Sequence, residues 1–413
     1  MNDVILSHSG KQHAYKTATA LQEIGRLRKF ITSSYFDPSR IPDKWLWRNE
    51  RVRRYLQKRY EPRLHGTVLR NLTFELPEVA IRKLFGNNRI ASDAVCYRDA
   101  LFDRSTAAFQ IHGARIFWGF QGSCLQSLRR ARSRGITAIL EFATAHVPTA
   151  VRILSEESLM NPEWADSISN LSFPGWYLRR LEEEPASSDY CVAASGFTKR
   201  SLEASGVPSD KIQLLPLGAD LEKFRFTRRP SSGPFQILFV GGVGQRKGIK
   251  YLLDAYERVR SAHTRLKIIG PIMGSGKAFR SRSSLYEYLG ILSQDEVVRY
   301  MQESHVLVLP SLLEGFGLVI PEAMATGMPV IASDHSAAPE IIREGVDGFV
   351  LKPDDVDGLA EKLESLMADR KRSADLGRNA SERAEEYSWQ KYQDRLKIFL
   401  GYVDKFDMQR GPV

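Results

Sequence analysis

Two glutamates and a lysine are the residues of this sequence best placed to do chemistry. Glu314 and Glu322 bracket the run Glu314-Gly-Phe-Gly-Leu-Val-Ile-Pro-Glu322. Residues 306–332 read as a buried strand, a glycine-bearing loop, a helix over 318–326 and another strand. Glu314 therefore falls in a loop at the carboxyl end of a strand, where open α/β sheets bind ligands. Gly315 and Gly317 leave backbone N–H groups accessible at the helix start, which suits an anion. Carboxylates are good acceptors for vicinal hydroxyls. Two of them around an N–H-rich loop describe a site for a sugar, a diphosphate and a ribose. A surface helix cap would explain either glutamate alone but not both.

Lys247 belongs to a second cluster, Phe239-Val-Gly-Gly-Val-Gly-Gln-Arg-Lys-Gly248, followed by Ile249, Leu252, Leu253, Tyr256 and Val259 at helical spacing. A glycine-rich turn between strand and helix lets backbone approach a ligand, and Arg246 and Lys247 add full positive charge beside the helix amino terminus. The turn lacks the Gly-Lys-Ser/Thr ending of a P-loop and the Gly-x-Gly-x-x-Gly spacing of a dinucleotide fingerprint. Read alone, it fits either a phosphate site or a plain connection.

The elements that must position these residues repeat one plan. Short apolar runs at 4–6, 29–32, 115–120, 136–142 and 190–194 alternate with helical patterns such as 123–134. Runs at 235–240, 266–269, 306–309, 330–333 and 348–351 do the same. Nearly all-apolar strands alternating with helices predict parallel sheets covered on both faces, hence two doubly wound α/β domains facing one another. The boundary is placed near 217–220, giving a first domain over 1–217 and a second over 218–388. The segment 389–413 carries Tyr392, Leu396, Phe399, Leu400 and Val403 on one helical face and is expected to dock on the first domain.

Composition narrows the partners. The 413 residues include 59 Lys plus Arg against 49 Asp plus Glu, a net charge of +10, with 43% hydrophobic and 26% charged residues. This is the balance of a globular chain of two or three domains. Cys96, Cys124 and Cys191 are too few and too scattered for a disulfide framework or a zinc site. Asp355-Val-Asp357 resembles a metal-binding pair but opens a helix, so capping is expected, as for Ser195. The first residues lack a signal-peptide pattern, and Glu314 interrupts the longest apolar stretch, so a cytoplasmic chain without a spanning helix is expected. From Lys44 to Arg63 eight basic residues interleave with Trp45, Trp47, Tyr55 and Tyr60. That mixture suits an anionic membrane surface or, equally, a solvated helix face. No nucleic-acid module accompanies it, and no nucleic-acid partner is expected.

The run Glu-Gly-Phe-Gly-Leu-x-x-x-Glu-Ala-Met-Ala-x-Gly-x-Pro-Val-Ile resembles the hallmark of the retaining glycosyltransferases of family 4, which have the GT-B architecture. Ala194-Ser-Gly-Phe-Thr-Lys-Arg-Ser-Leu, Lys211-Ile-Gln-Leu-Leu-Pro-Leu-Gly-Ala-Asp220 and Pro339-Glu-Ile-Ile342 resemble further stretches of that family. The likeness covers about residues 190–390 and is loose before them. It implies that Glu314 contacts hydroxyls of the donor hexose, that Glu322 holds the ribose, and that Lys247 neutralises the leaving diphosphate. Gly242 stands where an arginine is usual, and Arg246 is the candidate replacement. Backbone of Gly315, Phe316, Gly317 and Leu318 would meet hexose and phosphate, and Leu289, Gly290 and Ile291 the base. The family needs no metal and no cofactor beyond its nucleotide-sugar donor.

Family members often add a histidine after a strand of the first domain. Here Glu141 stands roughly at that place, and His146 follows as the candidate beside the reacting sugar. Ser9, Gly10, His13 and His112 are further candidates for the first domain's side of the cleft. The resemblance thus implies hexosyl transfer to a saccharide or lipid-linked saccharide, at the cytoplasmic membrane face through 44–63. Transfer to a soluble acceptor, or a catalytically silent sugar-nucleotide-binding scaffold, are the alternatives.

Overall fold

The computed structural model describes the chain except residues 1, 11–12, 41–42, 47, 49, 51–52, 54–55, 57–58, 72–73, 76–80, 82–88, 169–172, 231 and 411–413. Trp47 and Tyr55 of the 44–63 segment lie outside the described residues, and Trp45 is exposed.

The first sheet contains β1 (Val4–His8), β2 (Leu27–Thr32), β3 (Val68–Arg70), β4 (Ile116–Phe120), β5 (Thr137–Phe142), β6 (Tyr190–Ala193) and β7 (Ile212–Leu214). The second contains β8 (Phe235–Val240), β9 (Thr264–Ile269), β10 (Glu287–Gly290), β11 (Val306–Leu309), β12 (Val330–Ser333) and β13 (Gly348–Leu351). Their orders are β3-β2-β1-β4-β5-β6-β7 and β10-β9-β8-β11-β12-β13. Every pairing is parallel. Both sheets are doubly wound, as the sequence predicts. Strand order reverses between β1 and β4 and between β8 and β11, so the loops leaving those four strands frame the natural crevices.

The central strands form because both their faces are covered. All of Ile116–Phe120, Thr137–Phe142, Val306–Leu309 and Val330–Ser333 is buried. Three short strands escape the apolar-run reading. β3 and β7 have three residues each and β10 four, and all lie outermost in their sheets, where burial on one side suffices. The expected helix after Glu314 runs Val319–Ala325. Ser195 caps the helix Gly196–Glu203 and Asp355 caps Val356–Ala368 through their side chains, as expected. The three cysteines are free and buried.

The closing helix Trp389–Arg410 returns to the first sheet. Phe399 packs edge-on against Trp118 and Tyr190, at 5.8 and 5.9 Å between ring centroids. Tyr392 shares a 2.9 Å hydroxyl contact with Thr17, and Asp404 pairs with Arg26 at 3.0 Å. The outgoing and returning chains meet where Ala219 bridges to Ser388. Among the described residues no helix is long and apolar enough to cross a membrane.

Candidate functional site

The turn after β8 is shaped by Gly248, whose φ of +68° is left-handed. A Cβ there would fall on the Pro310 carbonyl oxygen at the end of β11. This close approach brings the turn Gln245–Lys247 beside the loop that carries Glu314. Arg246 fastens the two together: its carbonyl accepts from Leu312 N at 3.0 Å and its Nη1 donates to the Leu313 carbonyl at 3.0 Å. The guanidinium expected on a diphosphate is thus a clamp on the backbone before Glu314. The Lys247 ammonium then forms an ion pair with the Glu314 carboxylate. Burial, followed by the neighbouring Arg246, lowers the Lys247 pKa to about 7. The Glu314 carboxylate favours the charged form and opposes that shift.

Glu314 is held by its own N–H, which donates to the His335 carbonyl at 3.0 Å. Gly317, at φ +84°, turns the chain into the helix Val319–Ala325, which Leu318 precedes and which carries Glu322. Phe316 is buried, and its carbonyl accepts from Ala337 N at 3.1 Å. Among the described residues, the amides of Gly315, Phe316, Gly317 and Leu318 donate to no protein acceptor. Four open donors therefore border the Lys247–Glu314 pair. Glu322 is partly buried; burial and then Asp220 push its pKa up to about 8, with Lys223 pulling back. Among the described residues, no hydrogen bond or ion pair joins it to Lys247 or Glu314. Gly242 opens the turn, and Gly241 N donates to Ile269 O at 2.9 Å while Gly270 N donates to Gly290 O at 2.8 Å. The carboxyl ends of β8, β9 and β10 are thereby tied in a row, ending at Leu289, Gly290 and an exposed Ile291.

The first domain presses on this site. A Cβ on Gly315 would fall on the Ala143 carbonyl oxygen, and Ser195 Oγ donates to the Gly315 carbonyl at 2.5 Å. Phe197 stacks on His335 with centroids 4.6 Å apart, and Gly196 N donates to Glu340 at 3.1 Å.

At the carboxyl edge of the first sheet the candidates divide. His13 Nε2 lies 2.5 Å from Glu141 Oε1, and Trp118 Nε1 donates to Glu141 Oε2 at 2.8 Å. Ser9 donates to Asp99 at 2.6 Å, and Gly10 keeps the chain close to the buried His8 ring. Burial, then His13 and Arg98, lowers the His8 pKa to about 3, so its imidazole is neutral. His146 does not join this group. Its buried ring meets Ser205 Oγ at 3.1 Å and its N–H donates to Ser201 Oγ at 2.8 Å, so it ties the start of Val147–Met160 to the helix Gly196–Glu203. Among the described residues, no contact joins it to Lys247 or Glu314. His112 is corrected outright: it is exposed and precedes β4, at the amino end of the strand opposite the cleft. Trp118, Asp99 and Glu157 were missed. Glu157 did leave a signal, since it continues the apolar stripe of Val147, Ala150, Ile153 and Leu154 and is buried with it.

Residues 220–383 match the family described as "Glycosyl transferases group 1". The second domain is thus similar to the group 1 glycosyl transferases. The chain's two facing Rossmann-like domains are the GT-B fold, shared with the sucrose-phosphate synthase of Thermosynechococcus elongatus at a TM-score of 0.65 and 19% identity, over 98% of this chain and 99% of that one. HepE of Anabaena, solved in complex with UDP and glucose, gives a TM-score of 0.65 at 14% identity over 97% of this chain and all of its own (100%). In sequence, the sulfoquinovosyl transferase SQD2 of Arabidopsis thaliana is 25% identical over 323 residues, 75% of this chain and 58% of that one. The chain spans less than two thirds of the length of the curated relatives it matches.

Proposed function

We propose that this protein is a retaining glycosyltransferase that moves a hexose from a nucleoside-diphosphate sugar to a saccharide or lipid-linked saccharide, in the assembly of a surface polysaccharide or related glycan. The observation that carries this reading is the Lys247–Glu314 pair at the crevice of the second sheet, bordered by four open amides. Relatives named for glycosyl transfer, and a fold neighbour that holds UDP and glucose, support it.

The chemistry follows from charge. Breaking the bond from the sugar's anomeric carbon to the diphosphate leaves negative charge on the departing oxygens, and stabilising that charge is the main catalytic task. Lys247 and the amides of 315–318 perform it without a metal. An arriving diphosphate replaces Glu314 as the partner of Lys247, and the released carboxylate accepts hexose hydroxyls. Glu322 accepts from the ribose, and Leu289 to Ile291 border the base. The acceptor oxygen bonds the anomeric carbon on the face the diphosphate leaves and passes its proton to the departing diphosphate oxygen, which retains configuration. The first domain closing on Gly315 excludes water that would hydrolyse the donor.

A thermal-shift series with UDP, GDP and ADP tests the donor site. One of the three should raise the melting temperature, because a ligand bound only by the native state stabilises it; no shift with any of them rejects the reading. The basic, aromatic 44–63 segment supports an acceptor at an anionic, cytoplasmic membrane surface. Charge reversal there should abolish flotation with anionic vesicles, and unchanged flotation rejects that part.

A further inference from the structure

The diphosphate turn is anchored from the opposite domain. Glu157, in the helix Val147–Met160 of the first domain, is buried at 1% exposure. Its Oε1 accepts from Gln245 Nε2 at 2.6 Å and Asn161 Nδ2 at 2.7 Å, and its Oε2 from the Tyr251 hydroxyl at 2.7 Å. Gln245 and Tyr251 belong to the second domain, on either side of Lys247. The Gln245 side chain is engaged at both ends, since its Oε1 accepts from Lys250 N at 3.0 Å. Its backbone N–H donates to Ser167 Oγ of the first domain at 2.9 Å. The same first-domain turn, Pro162–Ser167, packs so closely on the next loop that a Cβ on Gly274 would fall on the Asp166 carbonyl oxygen. Asp166 also accepts from Ser275 N at 2.8 Å.

A fully buried carboxylate keeps its charge only with donors around it, and here two of three come from across the domain boundary. Separating the domains would strip Glu157 of those donors and release the Gln245 side chain and N–H together, two residues before Lys247. We propose that Glu157 is a positioning residue for the donor site. Acting through Gln245, it gives the Gln245–Lys247 turn its diphosphate-binding shape when the domains are docked. By reciprocity of linkage, a bound diphosphate then favours the docked arrangement. The inference rests on the reading of Lys247 as the diphosphate residue.

The test uses the full chain, the nucleoside diphosphate that stabilises it, and the matching monophosphate, with affinities from calorimetry. Gln245→Glu places two buried carboxylates against each other, which cannot both ionise at that distance. It should weaken the diphosphate about tenfold or more and the monophosphate by less than about threefold. Adding Glu157→Gln restores a donor–acceptor pair between positions 157 and 245, with the Asn161 amide turning its oxygen toward the new Nε2, and should return diphosphate affinity to within about threefold of wild type. Ser167→Ala frees the Gln245 N–H without touching the carboxylate, and should weaken the diphosphate selectively even if the exchange variants fail to fold. Unchanged diphosphate affinity in Gln245→Glu or Ser167→Ala, with binding lost in Lys247→Ala, overturns the inference alone. So does a double variant that folds without recovering affinity. Absence of binding by the wild-type chain, or full binding by Lys247→Ala, overturns the underlying reading instead.

Discussion

The carboxyl edges of the two sheets differ in how their carboxylates and backbone donors are matched. At the first sheet the carboxylates are matched to the chain's own donors. Glu141 is filled by His13 and Trp118, and Asp99 accepts from Ser9. Asp103 takes the amides of Gln126 and Ser127 at 2.7 and 2.9 Å, and Glu184 takes that of Gly122 at 2.7 Å. The amino terminus of the helix Leu125–Arg132 is thus closed by the chain's own carboxylates, and no anion is invited there. At the second sheet, among the described residues, the amides of 315–318 are open and the side chains of Lys247 and Glu314 pair with each other. One winding pattern thus carries two kinds of edge: the first closes its carboxylates on the chain's own donors, and the second leaves four backbone donors beside an ion pair, as the proposed diphosphate site requires.

The sharpest way to break this contrast is to remove charge from the open edge. Lys247→Ala should lower kcat/KM by about a hundredfold or more, the scale of deleting a group that meets transition-state charge, and Glu322→Ala by about a hundredfold through the hydrogen bonds to ribose it removes. Wild-type rates in either would remove that residue from the site. The first edge should respond differently. His13→Ala deletes an oriented imidazole and should lower kcat about tenfold while leaving nucleoside-diphosphate affinity unchanged. A parallel loss of diphosphate affinity would mean that the first edge shares the anion and the contrast is false.

A smaller effect is expected in stability against pH. Glu322 has a folded pKa of about 8 against an ordinary 4.5. Across that window the folded chain keeps a proton the unfolded chain has lost, so stability is fully present below 4.5 and falls as pH rises through 8. Glu184, pushed up to about 8 mainly by burial, contributes in the same sense. Denaturant unfolding at pH 5 and pH 8 should therefore find the loss reduced in Glu322→Gln; an identical loss would contradict a partly buried carboxyl with a raised pKa at the open edge. Least of all, His112→Ala should change kcat/KM by less than about twofold, because the residue lies at the wrong end of β4. A larger change would bring it back to the cleft.

Legibility in the sequence followed the same division. The second domain's strands were readable because both faces are buried, and 235–240, 306–309, 330–333 and 348–351 carry no polar interruption strong enough to hide them. Glu314 and Lys247 stood out because each has a glycine beside it, marking where backbone approaches something closely, and Glu322 because it closes the run that Glu314 opens. The outer strands β3, β7 and β10 were not, since three or four residues give no period. Pairings were invisible wherever they cross long stretches of chain: nothing local links Trp118 and His13 to Glu141, or Glu157 to Gln245. The Arg246 clamp was hidden for the same reason, because its carbonyl partner, Leu313, is supplied by the neighbouring strand's loop. His146 drew attention by its place after β5, yet the Ser201 and Ser205 hydroxyls that hold it lie some fifty residues on, out of reach of any local pattern.

The central claim is that the open edge receives a nucleoside-diphosphate hexose, and a crystal structure of the full chain with that donor bound measures it directly. Diphosphate oxygens on Lys247 Nζ and the 315–318 amides, hexose hydroxyls on a Glu314 freed from the lysine, and ribose on Glu322 are the predicted result. A donor seated elsewhere, with Lys247 and Glu314 still joined to each other, would contradict it.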